Sequence, residues 1–597
     1  MKKIFLLLFL LTAPNITFSQ AIYQRIYFEA SPEQIQSLIT KGVALDHLLR
    51  QQDGYVAELS KEEVLTMTNA GVKVEIIITD LSADFKSKYS SFKEFSNLRD
   101  FTPPAHFHAG SMGGALTYSE LVNELDSMKL YFPDIITAKA SLGDSYEGRP
   151  VYMVKISDNP DSDEDEPEVE FDALHHAREP VSMMHLIYYM WWLLENYNVD
   201  SLATYLVNER EIYFVPVVNP DGYYYNESTN PGGGGYWRKN RRDNGNGTYG
   251  IDLNRNYSFG WGLDSGSSGD SNSDVYRGTA PFSEPETAVM RDFFTAHEFV
   301  TTVSCHTSGN YFIHPWGYTN DDCADVDWFS AYSERATRWS DYFYGNCYQT
   351  LNYFASGTTI DFNYGEQILK PRSMAFTPET GYSFWPDPND IPEMCAKIIE
   401  QNILCTYLPN AIFTISASDQ STASTSNVEI PFSVYNVGLQ QGNVHCYLQS
   451  SSPYVIDDGD TVTVSSVAVL ANAASSLEIQ LDGATPNQSV IEALLIADDG
   501  LIKDSVYINI EFSGFPTQVM PLNVSLKLLP NPAGDYVQLE GTWHEASISF
   551  FDMTGKELHT LHPLPNTVID ISLLPQGLYY LEIKTDDGDF RVKLVKE

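Results

Sequence analysis

A chain of 597 residues is too long for one hydrophobic core, and at roughly 150 residues per domain it holds about four units. Hydrophobic residues make up 43% and charged residues 19%, a composition that folds rather than staying disordered. Lys and Arg number 36 against 79 Asp and Glu, a net charge of −43, which argues against nucleic acid or an anionic membrane as the main partner. Six cysteines are too few for a disulfide-built scaffold.

Met1-Lys2-Lys3, the short apolar run 4–13 and the small residues around Ser19 read as a secretory signal peptide over residues 1–19. Residues 20–101 form a small α/β unit. Strands are expected at 25–30, 54–59 and 72–78, with helices at 31–38 and 61–70. This order suits an open-faced sandwich. Residues 102–116, with Pro103, Pro104 and three Gly, read as a linker.

From 117 to 408 helical and strand patterns alternate. Residues 120–132 have helical spacing, and the apolar runs 151–156, 169–174, 212–218 and 300–305 suit buried strands. The apolar stretch 181–194 is short and contains His185, so it reads as a buried helix and not a membrane span. Ser283-Glu284-Pro285-Glu286 has the pattern of a capping box opening a helix that ends near Phe299. An α/β domain with a mixed central sheet follows. Residues 158–168 form a dense acidic stretch, read as a solvated hairpin loop. Ca²⁺ is possible there but unsupported, because no EF-hand spacing is present. Export permits disulfides, and Cys323 and Cys347, flanking a predicted helix, are candidate partners. Cys395 and Cys405 point to different faces, and Cys305 reads as a buried thiol. Residues 411–515 have short β-branched runs between polar turns, an all-β sandwich pattern, and 524–597 form a further small β unit. There is no internal repeat.

The chemistry concentrates in His175-His176-Ala177-Arg178-Glu179, which follows a predicted strand. His176 and Glu179, three apart, converge on one metal if the chain turns at the strand end. His306, at the end of another apolar strand, is the candidate third ligand. Two His and one Glu leave the fourth zinc position open, the catalytic arrangement. His175 has Arg178 three residues on, so it cannot form the same pair and reads as structural.

Further motifs appear in order. They are Asn219-Pro220-Asp221-Gly222-Tyr223, Trp237-Arg238-Lys239-Asn240-Arg241 and Asp252-Leu253-Asn254-Arg255-Asn256. His306-Thr307-Ser308, Tyr353-Phe354-Ala355-Ser356-Gly357 and Phe376-Thr377-Pro378-Glu379 follow. Together with His176-Ala177-Arg178-Glu179, this series resembles the zinc metallocarboxypeptidases of the carboxypeptidase A and T type. The resemblance implies an α/β catalytic domain with an eight-stranded mixed sheet flanked by helices. It implies one Zn²⁺ held by His176, Glu179 and His306, polarising a water and the scissile carbonyl. Glu379 matches the general base, Arg238 the group that stabilises the oxyanion, and Asp252 the carboxylate that orients His176. Arg178, Asn254, Arg255 and Tyr353 match the substrate-binding set, with Arg255 clamping the terminal carboxylate. By the same matching Ile360 lies at the base of the side-chain pocket, implying apolar or aromatic terminal residues. Pro180, Ser308 and His314 depart from the family pattern and bear on subsite preference.

By resemblance, residues 20–101 are an activation segment, or alternatively a fixed accessory domain. Leu529-Pro530-Asn531-Pro532, the run 548–556 and Leu574-Pro575-Gln576-Gly577-Leu578-Tyr579-Tyr580 resemble the sorting domain of the type IX secretion pathway. The expectation is a secreted or surface-attached zinc carboxypeptidase. Its partners are peptide or protein substrates and the type IX machinery, with no nucleic acid and no transmembrane span. The alternatives are a peptidoglycan peptide hydrolase on the same scaffold and a non-catalytic surface adhesin.

Overall fold

The structure is a computed structural model. It describes residues 21–597 except 46, 90–91, 93–101, 341, 419, 423–425, 514–526, 541–545, 554, 563, 565 and 586–587. The expected signal peptide lies outside the described residues. No described helix is long and apolar enough to cross a membrane.

The N-terminal unit contains β1 (Tyr23–Phe28), α1 (Pro32–Thr40), β2 (Leu49–Arg50), β3 (Tyr55–Ser60), α2 (Lys61–Asn69), β4 (Val74–Ile78) and α3 (Leu81–Tyr89). Its sheet has the order β2-β3-β1-β4 and is antiparallel throughout. Ser31 and Ser60 each open a helix with a reciprocal capping box, Ser31 with Gln34 and Ser60 with Glu63. The unit matches the expected β-α-β-α-β order with two additions. Strand β2 has only two residues, and the polar pattern of α3 buries just Leu81 and Phe85, so neither carries a clear periodic signal.

Residues 102–116, expected to be a linker, are packed instead. Met112, Ala115 and Leu116 are buried, and paired bridges join Gly110 to Gly114 and Met112 to Ala115. The prolines and glycines serve an irregular packed path here. Glu195 accepts hydrogen bonds from the backbone N–H groups of Ala105 and His106.

The catalytic-type domain follows with α4 (Tyr118–Tyr131), β5 (Ala140–Asp144), β6 (Pro150–Ile156) and β7 (Glu168–Ala173). Next come α5 (Pro180–Asn196), α6 (Ser201–Asn208), β8 (Glu211–Val215), α7 (Pro220–Thr229), α8 (Pro285–Ala296) and β9 (Thr301–Cys305). Then β10 (Tyr311–Ile313), α9 (Val326–Thr337), β11 (Phe343–Gly345), α10 (Cys347–Leu351), α11 (Thr359–Gly365), β12 (Met374–Glu379) and α12 (Ile391–Tyr407) complete it. The sheet has eight strands in the order β11-β10-β12-β9-β7-β8-β6-β5. Its centre, β12-β9-β7-β8, is parallel, while β10 and β6 join antiparallel on either side. The central strands are buried on both faces, which is why they read as continuous apolar runs. Helix α5 is almost wholly buried across the sheet, as its apolar composition requires.

Three local expectations fail. The capping box at 283–286 does not form. Glu284 is the N-cap of α8 without a side-chain cap, and its carboxylate is taken by Arg242, Asn240 and Ser283. Cys323 and Cys347 are both buried free thiols, as are all six cysteines. Cys323 sits by Tyr364 and Asp325, whereas Cys347 opens α10 and lines a cavity described below. The acidic stretch 158–168 is not a hairpin loop, because β8 lies between the strands it connects.

Residues 413–512 form two facing sheets of four and five strands around a core including Ile430, Leu477, Leu495 and Ile508. The last unit pairs a three-stranded with a four-stranded sheet over Val537, Ile548, Leu581 and Leu594.

Candidate active site

The parallel strands β7, β9 and β12 end on the same edge of the sheet, so residues distant in sequence meet there. His176 and Glu179 lie just past β7, with Glu179 at the N-cap of α5. His306 follows β9 and bridges to Glu379, the last residue of β12. All four are buried. His176 Nδ1 lies 2.8 Å from Glu179 Oε1, and His306 Nδ1 lies 3.0 Å from Glu179 Oε2 and 3.1 Å from His176 Nδ1. Two imidazole nitrogens facing each other across one carboxylate suit a shared cation better than a hydrogen bond. The two-nitrogen, one-carboxylate donor set fits zinc.

The surrounding groups fix these side chains. Asp252 Oδ1 lies 3.1 Å from His176 Nε2, and Asp252 Oδ2 accepts from Arg238 Nε (3.1 Å) and Nη2 (2.8 Å). Arg238 Nη1 lies 3.8 Å from Glu179 Oε1. Burial pushes the Asp252 carboxyl up, but Arg238 and His176 outweigh it and hold it well below the usual carboxylate range. Burial likewise raises Glu179, and His176, His47 and His306 override it to leave a carboxylate well below its usual range. Burial and the Arg238 charge lower His176 to about 4, so its ring is neutral and able to ligate near pH 7. Burial dominates at Glu379 and lifts its carboxyl above the ordinary value, against the pull of His47 and His306. His175 is tied to Tyr257 Oη (2.7 Å) and Asp172 (3.2 Å), its ring stacked on that of His306 at 5.8 Å.

A cavity opens beside the cluster, lined by His176, Asn254, Arg255, Tyr353, Ile360 and Glu379 among others. Asp252 caps the single 3₁₀ turn Leu253–Arg255 by accepting from Asn254 N, and this turn sets Asn254 and Arg255 at the cavity wall. Asn254 Oδ1 accepts from Thr359 N at the start of α11, and Arg255 Nη1 donates to Asn254 O. Ile360, on α11, shares the wall with Ile313, Leu351, Ala355 and Thr377. The neighbouring Asp361 turns away, accepting from Gly317 N and Tyr318 N.

Arg178 does not line that cavity. Its guanidinium lies over the Phe384 ring (4.4 Å) and near that of Tyr23 (5.5 Å), and its Nη1 donates to Asp274. Two residues at the site carry no sequence signal. Tyr23 of β1 donates to Asp274 Oδ2. His47, between α1 and β2, enters the cluster itself, its Nε2 lying 2.9 Å from Glu179 Oε1. A lone His outside a periodic element is indistinguishable from a surface residue until the fold places it.

Comparison with known proteins shows the family. Residues 121–400 match the zinc carboxypeptidase family model, and 527–597 match the secretion system C-terminal sorting domain. Carboxypeptidase B of Helicoverpa zea is 30% identical over 411 residues, covering 64% of this chain and 91% of that protein. The chain belongs to the zinc carboxypeptidases. Carboxypeptidase A1 of Rattus norvegicus is 29% identical over 309 residues, 50% of this chain and 70% of that one. The crystal structure of carboxypeptidase A from Helicoverpa armigera shares the fold of this carboxypeptidase, with a TM-score of 0.53 at 22% identity over 65% of this chain and 97% of the other. The last unit is a type IX sorting domain.

The acidic stretch brings carboxylate oxygens of Asp158, Glu164 and Glu166 within 4.8 Å of one another. Burial and the Glu164 charge push Glu166 up to about 7, the response of a like-charge cluster.

Proposed function

We propose that the protein is an exported metallocarboxypeptidase that removes single C-terminal residues with apolar or aromatic side chains. His176, Glu179 and His306 would hold one zinc ion, which supplies Lewis acidity toward the scissile carbonyl and makes water nucleophilic near neutral pH. Glu379, at the cavity mouth, accepts the water proton and returns it to the leaving amine. Its raised pKa suits a group that must both take and give a proton. Arg238, clamped by Asp252, presents Nη1 toward the cluster and stabilises negative charge developing on the carbonyl oxygen. Arg255 and Asn254 recognise the terminal carboxylate at the cavity wall, with Tyr353 covering it, and Ile360 faces the terminal side chain. Arg178 binds the peptide further out.

The observation that carries this reading is the convergence of two imidazoles and three carboxylates, from Glu179, Asp252 and Glu379, beside a cavity whose wall combines Arg255 and Asn254 with Ile360, Ile313 and Leu351. The sorting domain supports passage through the type IX route to the cell surface or medium, and residues 20–101, from which His47 reaches the cluster, are read as an activation segment.

The test uses the full chain, zinc-loaded and trimmed by limited proteolysis, on blocked dipeptides ending in Phe, Leu, Lys or Glu. Phe and Leu substrates should be cleaved fastest, and a chelator should abolish turnover. Activity in the metal-stripped protein sinks the zinc mechanism. Glu379→Gln should bind zinc normally and lose about 10²- to 10⁴-fold in kcat.

A further inference from the structure

We propose that His47 is itself a metal ligand: the N-terminal unit inserts this imidazole into the zinc site and fills the coordination position that catalysis needs open. The proposal rests on the zinc reading above and concerns how that site is closed in the full chain.

The geometry is specific. One ligand atom each from His47, His176 and Glu179 lie within 4.8 Å of one another, all three residues buried. His47 Nε2 is 2.9 Å from Glu179 Oε1, the carboxylate already shared by His176 and His306. Tetrahedral zinc with bonds of about 2.0–2.1 Å spaces its ligands roughly 3.3 Å apart, so these separations suit atoms gathered round one ion. A cation touching His176 and Glu179 is therefore within reach of His47. Joined by His306, whose Nδ1 lies 3.0 Å from Glu179 Oε2 and 3.1 Å from His176 Nδ1, the set would hold three imidazoles and one carboxylate, four protein ligands of the closed, structural kind.

The same ring meets the groups assigned to chemistry. Nε2 is 3.1 Å from Arg238 Nη1, Nδ1 is 3.2 Å from Glu379 Oε2, and the Ser308 backbone N–H points at Nδ1 from 3.1 Å. A scissile carbonyl and the imidazole cannot share this space. The ring is held edge-on against Phe384 (4.7 Å), and Tyr311 Oη donates to the next residue's carbonyl, Leu48 O, at 2.6 Å. Docking contacts flank the insertion. Glu58 pairs with Arg25 and accepts from Tyr236 and Ser383, while Asn352 donates to Tyr55. The N-terminal unit thus covers the cleft and ligates the metal in one act, and opening the site requires the unit to leave.

X-ray absorption on the zinc-loaded full chain counts imidazoles at the metal. Three are expected in the wild type, and two plus a water oxygen in His47→Ala and His47→Gln. Zinc transfer to a chelator should be at least tenfold faster in both variants. Because the wild-type count needs no variant, it decides the matter even if a substitution impairs folding. Two imidazoles in the wild type, with release rates unchanged by either substitution, overturn the role of His47 and leave the zinc reading standing. A full chain that takes up no zinc overturns both.

Discussion

Ile360 is the side chain on which the proposed substrate preference turns. It stands among Ile313, Leu351 and Ala355, while the adjacent Asp361 is occupied by the amides of Gly317 and Tyr318 and pushed up to about 7 by burial. On the proposed reading, the part of the wall around Ile360 would present carbon to a terminal side chain. Ile360→Asp places a carboxylate there and should lower kcat/KM for Phe and Leu substrates while raising it for Lys and Arg, each by tenfold or more. An unchanged ranking of the four substrates would show that Ile360 does not face the side chain. Arg178 teaches the opposite lesson. It lies between His176 and Glu179 in sequence, yet its guanidinium is engaged by Phe384, Tyr23 and Asp274 instead of the cavity.

Helix α5 and the segment before it explain why the sheet edge is rigid enough to hold three ligands. Glu179 is the N-cap of α5, so the carboxylate that gathers the imidazoles is fixed by the helix that follows. That helix is anchored by Trp191, whose Nε1 donates to Glu124 of α4 and whose ring stacks on His106 at 4.7 Å. Trp191→Ala removes a fully buried ring and leaves Glu124 without that donor. It should destabilise the catalytic-type domain by about 3–5 kcal/mol, measured as a shift in the denaturant midpoint. The same contact accounts for residues 102–116 being packed. His106 is part of the stack, so the proline-rich path is part of the domain's surface layer. The capping box at 283–286 does not form because both its members are engaged elsewhere: the Glu286 carboxylate accepts from Tyr146 N and Asn240 Nδ2, and Ser283 Oγ donates to Glu284 Oε1, contacts that local sequence does not display.

Across the molecule, the N-terminal unit meets the catalytic-type domain through charged groups as well as His47. Glu63 of α2 is buried, accepts from Ser60 and Ala44, and feels Asp274 of the neighbouring domain. Burial first, then Asp274, pushes its carboxyl up to about 7. A folded-state value above the usual 4.5 means the docked form binds the extra proton. Docking is then strongest below about pH 4.5, weakens as pH rises toward 7, and is level above it. Amide hydrogen exchange in α2 should be faster at pH 8 than at pH 5, after correction for intrinsic rates. Glu63→Gln should remove most of that difference.

The chain's own order of residues determined much of this protein. Local periodicity marked the central strands and α5, because an element buried on both faces must be apolar throughout. The spaced motifs around His176, Arg238, Asp252, His306 and Glu379 marked the residues that the proposed chemistry uses, because zinc, a base and an anion clamp demand those residue types. What only the tertiary structure decided depends on contacts between segments far apart in sequence. Strands β7, β9 and β12 had to lie adjacent and parallel before 176, 306 and 379 could meet. The engagement of Glu286 by Tyr146 and Asn240 and the separate surroundings of Cys323 and Cys347 are of the same kind. His47 is the clearest case, since a single imidazole gains meaning only from the metal site that another domain builds beneath it.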